Sequence, residues 1–259
     1  MRPDVAVHVR SEERPLFSRL RELAARAEES AQPALTHFLT PREARIARMA
    51  AGVEGAVCKC FGGYDGAERV RASFGTDRFP RLDQEWGIVC LCAQVGRGEP
   101  APAHGDVLGS LMNLGYQRER MGDVLVSAGE IYVFLEEPAA KTVLRDWSRA
   151  GKASLRTARC AVPPLDQLPR PRTVERVVTV RSLRLDAFVG HAFGMSRTKA
   201  LDPIRAGRVS LNFAVCEDPA EEVEPGDVVS VRGFGRAMVV ATEGESRSGR
   251  IFVRIARFL

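Results

Sequence analysis

The chain has 259 residues, of which 45% are hydrophobic and 27% charged, the balance of a folded globular protein rather than a disordered or fibrous one. No run approaches the ~18 apolar residues that cross a membrane as a helix, and the opening MRPDVAVHVR lacks the apolar core of a secretory leader. Six cysteines in a chain this long, four of them in Cys-x-Cys pairs, make no disulfide framework, so a cytoplasmic protein is expected.

Residues 1–14 are mixed and charged. From Pro15 onward, Leu16, Leu20, Leu23, Ala24 and Ala27 trace a helical stripe that ends before Pro33. Thr40-Pro41-Arg42-Glu43 is a capping box with proline at the first helical position, opening a helix that should stop at Gly52. Residues 1–55 are therefore expected to form a small helical unit. Between Val57 and Phe74, Gly62-Gly63 and Asp65-Gly66 supply turn chemistry for a hairpin.

A strand follows from Trp86 to Ala93, then a helix from Val107 to Leu114 that Gly115 ends. Val124–Ser127 and Ile131–Leu135 form a hairpin, Glu137–Ala150 a helix stopped by Gly151, and Leu155–Val162 a last strand. That βαββαβ order over 56–162 is the ferredoxin-like arrangement, which RNA-recognition domains also use. The segment 163–173 is rich in proline, which stiffens a chain and cannot donate to a ladder, so it is expected to be an extended linker.

In 174–259, Val174–Val180 reads as a strand. Leu185, Phe188, Val189 and Ala192 recur at i, i+3, i+4 and i+7, one apolar face of a short helix stopped at Gly194. Ser196 opens a second helix as its N-cap, and Gly207 closes it. Val209, Leu211 and Phe213 alternate with Arg208, Ser210 and Asn212 as in a half-buried strand. Pro225-Gly226 turns the chain into Val228–Val231, and a final hairpin surrounds Gly244–Gly249. The overall expectation is an α+β protein. Pro203 inside the second helix lacks the N–H of an ordinary residue and tends to kink a helix.

The net charge of +5 is unevenly spread. Residues 1–140 carry −3, residues 141–185 carry 11 basic against 3 acidic side chains, and 186–259 are neutral. A basic belt leading into a helix-turn-helix is the footprint of phosphate contact, with a solvated linker as the alternative. Arg197 and Lys199 stand in the first turn of the second helix, where free N–H groups and the positive dipole end also suit phosphate. Arg208, Arg232 and Arg236 share the polar side of the same region.

Other constellations read as structural. Cys58-x-Cys60 and Cys90-x-Cys92 lie in strands, without the longer gap that wraps two sulfurs around one zinc ion, so no metal is expected. His104 and Asp106 precede a helix that Asp106 is suited to cap, and no nucleophile motif accompanies them. Phe61-Gly62-Gly63-Tyr64 matches neither a phosphate loop nor a dinucleotide fingerprint, so no cofactor and no small-molecule substrate are expected.

The run Arg184-Leu185-Asp186, Ser196-Arg197, Lys199-Ala200, Ile204, Gly207, Val209, Asn212, Gly226-Asp227 and Arg232-Gly233 resembles the S-four RNA-binding domain, also called the alpha-L motif. Phe38-Leu39-Thr40-Pro41-Arg42-Glu43, Phe61-Gly62-Gly63-Tyr64, Ala67-Glu68-Arg69, His104-Gly105-Asp106-Val107-Leu108-Gly109, Met112-Asn113-Leu114-Gly115 and Gly122-Asp123-Val124 resemble the YlmH family. That resemblance implies a non-catalytic protein that binds structured ribosomal RNA or tRNA on the large ribosomal subunit. Links to cell division and, among plant and cyanobacterial relatives, to photosystem assembly come with it. The RNA-contacting set it implies is Arg184, Arg197, Lys199, Arg208, Asn212, Arg232 and Arg236. The competing reading is an RNA-modifying enzyme such as a pseudouridine synthase, because an Arg-Leu-Asp triplet also surrounds the catalytic Asp of some of those enzymes. Here Asp186 is expected to cap the first helix or pair with an arginine.

Overall fold

Helix α1 (Arg14–Ser30) buries Leu20, Ala24 and Ala27, whose spacing of four and three places them on one face, against α2 (Pro41–Glu54). These coordinates are a computed structural model that describes residues 9–30, 32–75, 86–127, 129–160, 168, 173–212, 214–246 and 248–258. The expected capping box opens α2: Thr40 Oγ1 accepts from Glu43 N at 3.3 Å, and the Glu43 carboxylate accepts from Thr40 N at 2.7 Å. The helix runs through Gly52 and stops at Gly55, which adopts φ 77°. An interior glycine costs a helix only about 1 kcal/mol. The buried Ala47, Ala50 and Ala51, together with the Arg21–Glu54 bond of 2.6 Å, hold that last turn in place.

Beneath the helices lies a sheet in the order β1-β3-β2, made of β1 (Ala34–Leu39), β2 (Val57–Phe61) and β3 (Val70–Gly75). The hairpin β2–β3 falls where turn chemistry placed it. Nothing in the sequence periodicity announces β1, whose pairing with β3 is broken by a bulge between Leu35 and Phe38. The sheet thus draws strands from both sides of residue 55.

The next elements are β4 (Ile88–Val95), α3 (His104–Asn113), β5 (Met121–Val126), β6 (Glu130–Glu136), α4 (Glu137–Asp146), β7 (Arg149–Ala150) and β8 (Ala153–Cys160). Their antiparallel order β5-β6-β4-β8-β7 is the ferredoxin-like arrangement with one short strand added. Ile131, Val133 and Leu135 of β6 pack with Val107 and Leu111 of α3 and Ala139 and Val143 of α4. Helix α4 ends four residues before Ala150, the expected limit. Trp147 turns into this core and its indole N–H donates to Ser110 Oγ at 2.8 Å, so the chain leaves the helix for β7.

Two compact units divide the chain, Met1–Arg170 and Pro171–Leu259. The expected linker, 163–173, lies outside the described residues except for Leu168 and Thr173. In the second unit β9 (Thr173–Val180) precedes α5 (Leu185–Phe193) and α6 (Arg197–Arg205). Then come β10 (Val209–Leu211), β11 (Ala214–Val215), β12 (Val228–Val231), β13 (Gly235–Glu245) and β14 (Ile251–Phe258). All pair antiparallel in the order β11-β10-β12-β13-β14-β9. Phe188, Val189 and Ala192 of α5 and Ala200 and Ile204 of α6 form one core with Val229, Val239, Val253 and Ile255 of the sheet. The chain enters this unit by closing its far edge, because β9 pairs along all of β14 from Thr173–Phe258 to Val180–Ile251.

Candidate nucleic-acid interface

Many motif residues of the first unit are internal braces. Asp123 is buried and accepts from the Tyr64 hydroxyl at 2.6 Å, Glu68 N at 2.7 Å and Arg69 N at 2.9 Å. Burial, and then the Asp123 carboxylate, raise the Tyr64 phenol above its ordinary value, so it stays a donor. The buried Arg69 guanidinium donates to the carbonyls of Met121 and Phe38, both at 3.0 Å, and so ties the first sheet to the ferredoxin-like one. Gly122 lies against the Phe38 ring and Gly63 against Phe134, where an added Cβ would sit 2.7 Å and 2.5 Å from ring carbons. These residues therefore place the elements.

In RNA-recognition domains the open sheet face carries aromatic residues that stack on bases. Here that face holds Tyr132 and Phe134, and both are buried. Tyr64 lies over Phe134 with ring centroids 4.8 Å apart, and Leu168 packs into the same cluster with Cys90 and Leu125. The stacking platform is thus covered by the protein itself. One stretch of this unit is cationic: Arg145, Arg149, Lys152 and Arg156 stand in solvent from the end of α4 through β8, with Arg145 paired to Asp146.

His104 and Asp106 open α3, where the Asp106 carboxylate accepts from Ala103 N at 3.0 Å, one turn ahead of it. The two Cys-x-Cys pairs sit on different sheets, Cys58 and Cys60 on β2 and Cys90 and Cys92 on β4. A hydrogen bond from Cys58 lowers the Cys60 thiol to about 7, helped by the Arg48 charge, while the same bond raises its partner.

In the second unit Asp186 is only 2% exposed and accepts from Arg184 Nη2 at 3.0 Å and Arg197 Nη2 at 3.2 Å. Burial alone would raise its carboxyl, but these two guanidinium groups outweigh that and hold it below the ordinary carboxylate range. Asp186 is therefore the post that positions both arginines. Its own N–H and that of Leu185 are satisfied by the carbonyls of Pro219 and Glu221, so the acidic segment braces the start of α5. Gly194 ends α5 at φ 70°, and Ser196 Oγ caps α6 by accepting from Lys199 N at 3.3 Å. Helix α6 continues through the buried Pro203, which cannot bond the Lys199 carbonyl one turn earlier. Lys199 remains exposed in the first turn of α6.

Arg208 and Arg232 come together because Arg232 N donates to the Arg208 carbonyl at 2.9 Å, and both side chains are exposed. Arg236 lies with its guanidinium 4.4 Å from the centre of the Phe258 ring. Asn212 serves the fold instead. It adopts φ 50°, its amide N–H donates to Asp227 at 2.9 Å, and its amide oxygen accepts from Val228 N at 3.1 Å. Of the seven residues named from the sequence, Lys199, Arg208 and Arg232 are exposed cations without an ion pair among the described residues. Arg184 and Arg197 are held on Asp186. Selection by charge also passed over Phe234, although Arg-Gly-Phe-Gly-Arg displays it openly.

A ferredoxin-like domain whose aromatic face is sealed, together with a helix-turn-helix on a small sheet that exposes arginine and lysine, defines an RNA-binding protein of the S-four class. Residues 183–229 match the family model for the S4 domain, and residues 101–162 match the one described as the putative RNA-binding domain in YlmH. The chain is 30% identical over 254 residues to ribosome-associated protein quality control protein P2 of Bacillus subtilis (strain 168), covering 98% of each chain. It belongs to the YlmH family. The solved structure of cell division protein ylmH from Streptococcus pneumoniae shares its fold, with a TM-score of 0.53 and 19% identity over 59% of this chain and 93% of that one.

Proposed function

We propose that this protein is a non-catalytic RNA-binding factor of the ribosome, engaging structured ribosomal RNA or tRNA on the large subunit during translation or its quality control. The observation that carries the reading is the exposure of Lys199, Arg208 and Arg232 on a module that matches the S4 domain. The ribosome-associated relative supports it, as does the belt on the first unit, and segment 163–173 joins these two RNA-contacting parts. Arg184, Arg197 and Arg236 are taken as further RNA contacts, oriented by Asp186 and Phe258, while Asn212 shapes the turn between β10 and β12. The enzyme alternative, in which the S-four-like module only docks the RNA, draws its one residue-level hint from Asp186 of the Arg-Leu-Asp triplet. That carboxylate is buried and engaged by two arginines, so no base can reach it without dismantling the start of α5.

Affinity for such a surface comes largely from counterion release and falls with salt in proportion to the phosphates neutralised. Replacing Lys199, Arg208 and Arg232 one at a time by glutamate should weaken binding to purified large subunits and to isolated ribosomal RNA. Each should also flatten the log–log salt slope by about one. Unchanged slopes in all three variants would reject the surface.

A further inference from the structure

The tip of the β12–β13 hairpin, Arg232-Gly233-Phe234-Gly235-Arg236, holds an aromatic ring out to solvent, with Phe234 47% exposed. Gly233 and Gly235 take φ of 86° and 101°, a conformation that other side chains resist, so the tip has a defined shape. Phe234 N donates to the Val231 carbonyl at 2.9 Å, and the Phe234 carbonyl accepts from Arg257 Nη2 at 3.3 Å. Arg257 in turn lies 5.5 Å from the centre of the Phe193 ring, and its buried Nε has no hydrogen-bond partner among the described residues. Phe193 meets Phe234 edge-on, with centroids 6.5 Å apart and planes at 67°. The backbone of the tip is therefore anchored and one edge contact steadies the ring, while much of the ring stays uncovered.

Four arginines are tied to this tip by sequence or by backbone bonds. Arg232 and Arg236 flank Phe234 in sequence, Arg208 is bonded to Arg232 through the backbone, and Arg257 holds the Phe234 carbonyl. We infer that Phe234 is a stacking platform for an unpaired RNA base, with the exposed Arg208 and Arg232 holding phosphate beside that nucleotide. An aromatic face accepts any base, and fixing it in advance removes most of the ordering cost of stacking. An apolar protein partner would have to desolvate the exposed Arg232 beside the ring in sequence and Arg208 bonded to it, which disfavours that occupant. The inference rests on the RNA-binding reading above and narrows it, because a base platform requires a single-stranded loop or bulge rather than a continuous duplex.

The test uses the full chain and two fluorescein-labelled RNAs, a stem closed by a loop of unpaired adenines and the blunt duplex of the same stem. Wild-type protein should favour the stem-loop. Phe234→Ala and Phe234→Leu should each lose about tenfold in affinity for the stem-loop, within the range of one stacked base. Their duplex affinity and salt slope should be unchanged, and Phe234→Trp should retain the preference. Three results would overturn the inference. One is an unchanged stem-loop to duplex ratio in both the alanine and leucine variants. Another is recovery of full binding by leucine, which would make the residue an apolar brace. The third is weaker co-sedimentation with ribosomes despite unaltered RNA affinity, which would assign Phe234 to a protein contact. If the wild-type protein binds neither RNA, the RNA-binding reading fails first and this inference with it.

Discussion

Asp123 shows at the scale of a single residue how a family motif can be an internal brace. Removing its carboxylate leaves the Tyr64 hydroxyl and the N–H groups of Glu68 and Arg69 without their acceptor in a buried setting. Asp123→Ala should therefore cost about 3 kcal/mol or more in a thermal or urea melt, with the salt slope of RNA binding unaltered. Gly63→Ala combines a clash on Phe134 with a φ of 101°, so it too should destabilise, by about 2 kcal/mol. Cys60 offers a different readout. With its thiol lowered to about 7 it should be the fastest described cysteine to alkylate near neutral pH, and Cys58→Ala should slow it by removing the hydrogen bond. Mass mapping of iodoacetamide adducts over time would decide this. The Asp123 partnerships are not legible in the sequence, because Tyr64 and Asp123 lie 59 residues apart and only the fold brings them together.

At the scale of elements, α5 and α6 are locked through Asp186. Its folded pKa lies below the ordinary carboxylate value, so the stabilisation it provides is complete above the unfolded value of about 4. That stabilisation is lost as the pH falls through the folded value. Asp186→Asn should remove this part of the acid limb when stability is followed against pH between 2 and 6. Arg197→Glu would set a second carboxylate beside Asp186 and unsettle both helices, so reversal at Lys199 is the cleaner probe of RNA contact. The two helices themselves were readable, because the apolar spacing of α5, the Ser196 cap and Gly194 each encode local geometry. Asn212 was not. It looked like a polar position of a strand, and its left-handed backbone and double amide bonding depend on β10 meeting β12.

For the whole molecule, the strand β9 sets where the second unit begins. A fragment starting at residue 181 would lose Val178 and Val180 from the core and strip β14 of its partner along eight residue pairs. Residues 171–259 should therefore fold alone, and 181–259 should not, as circular dichroism and amide exchange would show. The folded fragment carries 14 basic and 11 acidic side chains, whereas residues 141–170 carry 7 and 2. It should bind ribosomal RNA more weakly than the full chain and with a shallower salt slope. Equal affinity would rule out a contribution from the belt on the first unit.

The sequence by itself determined the class of fold, the order of the longer elements over 86–160 and 173–258, the caps of α2 and α6 and the basic belt. Each of these depends on neighbours in the chain, through periodicity, capping chemistry or charge density. Only the tertiary structure decided that β1 is a strand, that α4 yields to Trp147, and that the aromatic face of the ferredoxin-like sheet is sealed by Tyr64 and Leu168. It also decided which arginines are held by Asp186 and which stay exposed without an ion pair among the described residues. Pairing, burial and the sharing of one carboxylate by two cations are properties of residues distant in sequence, and no local pattern encodes them.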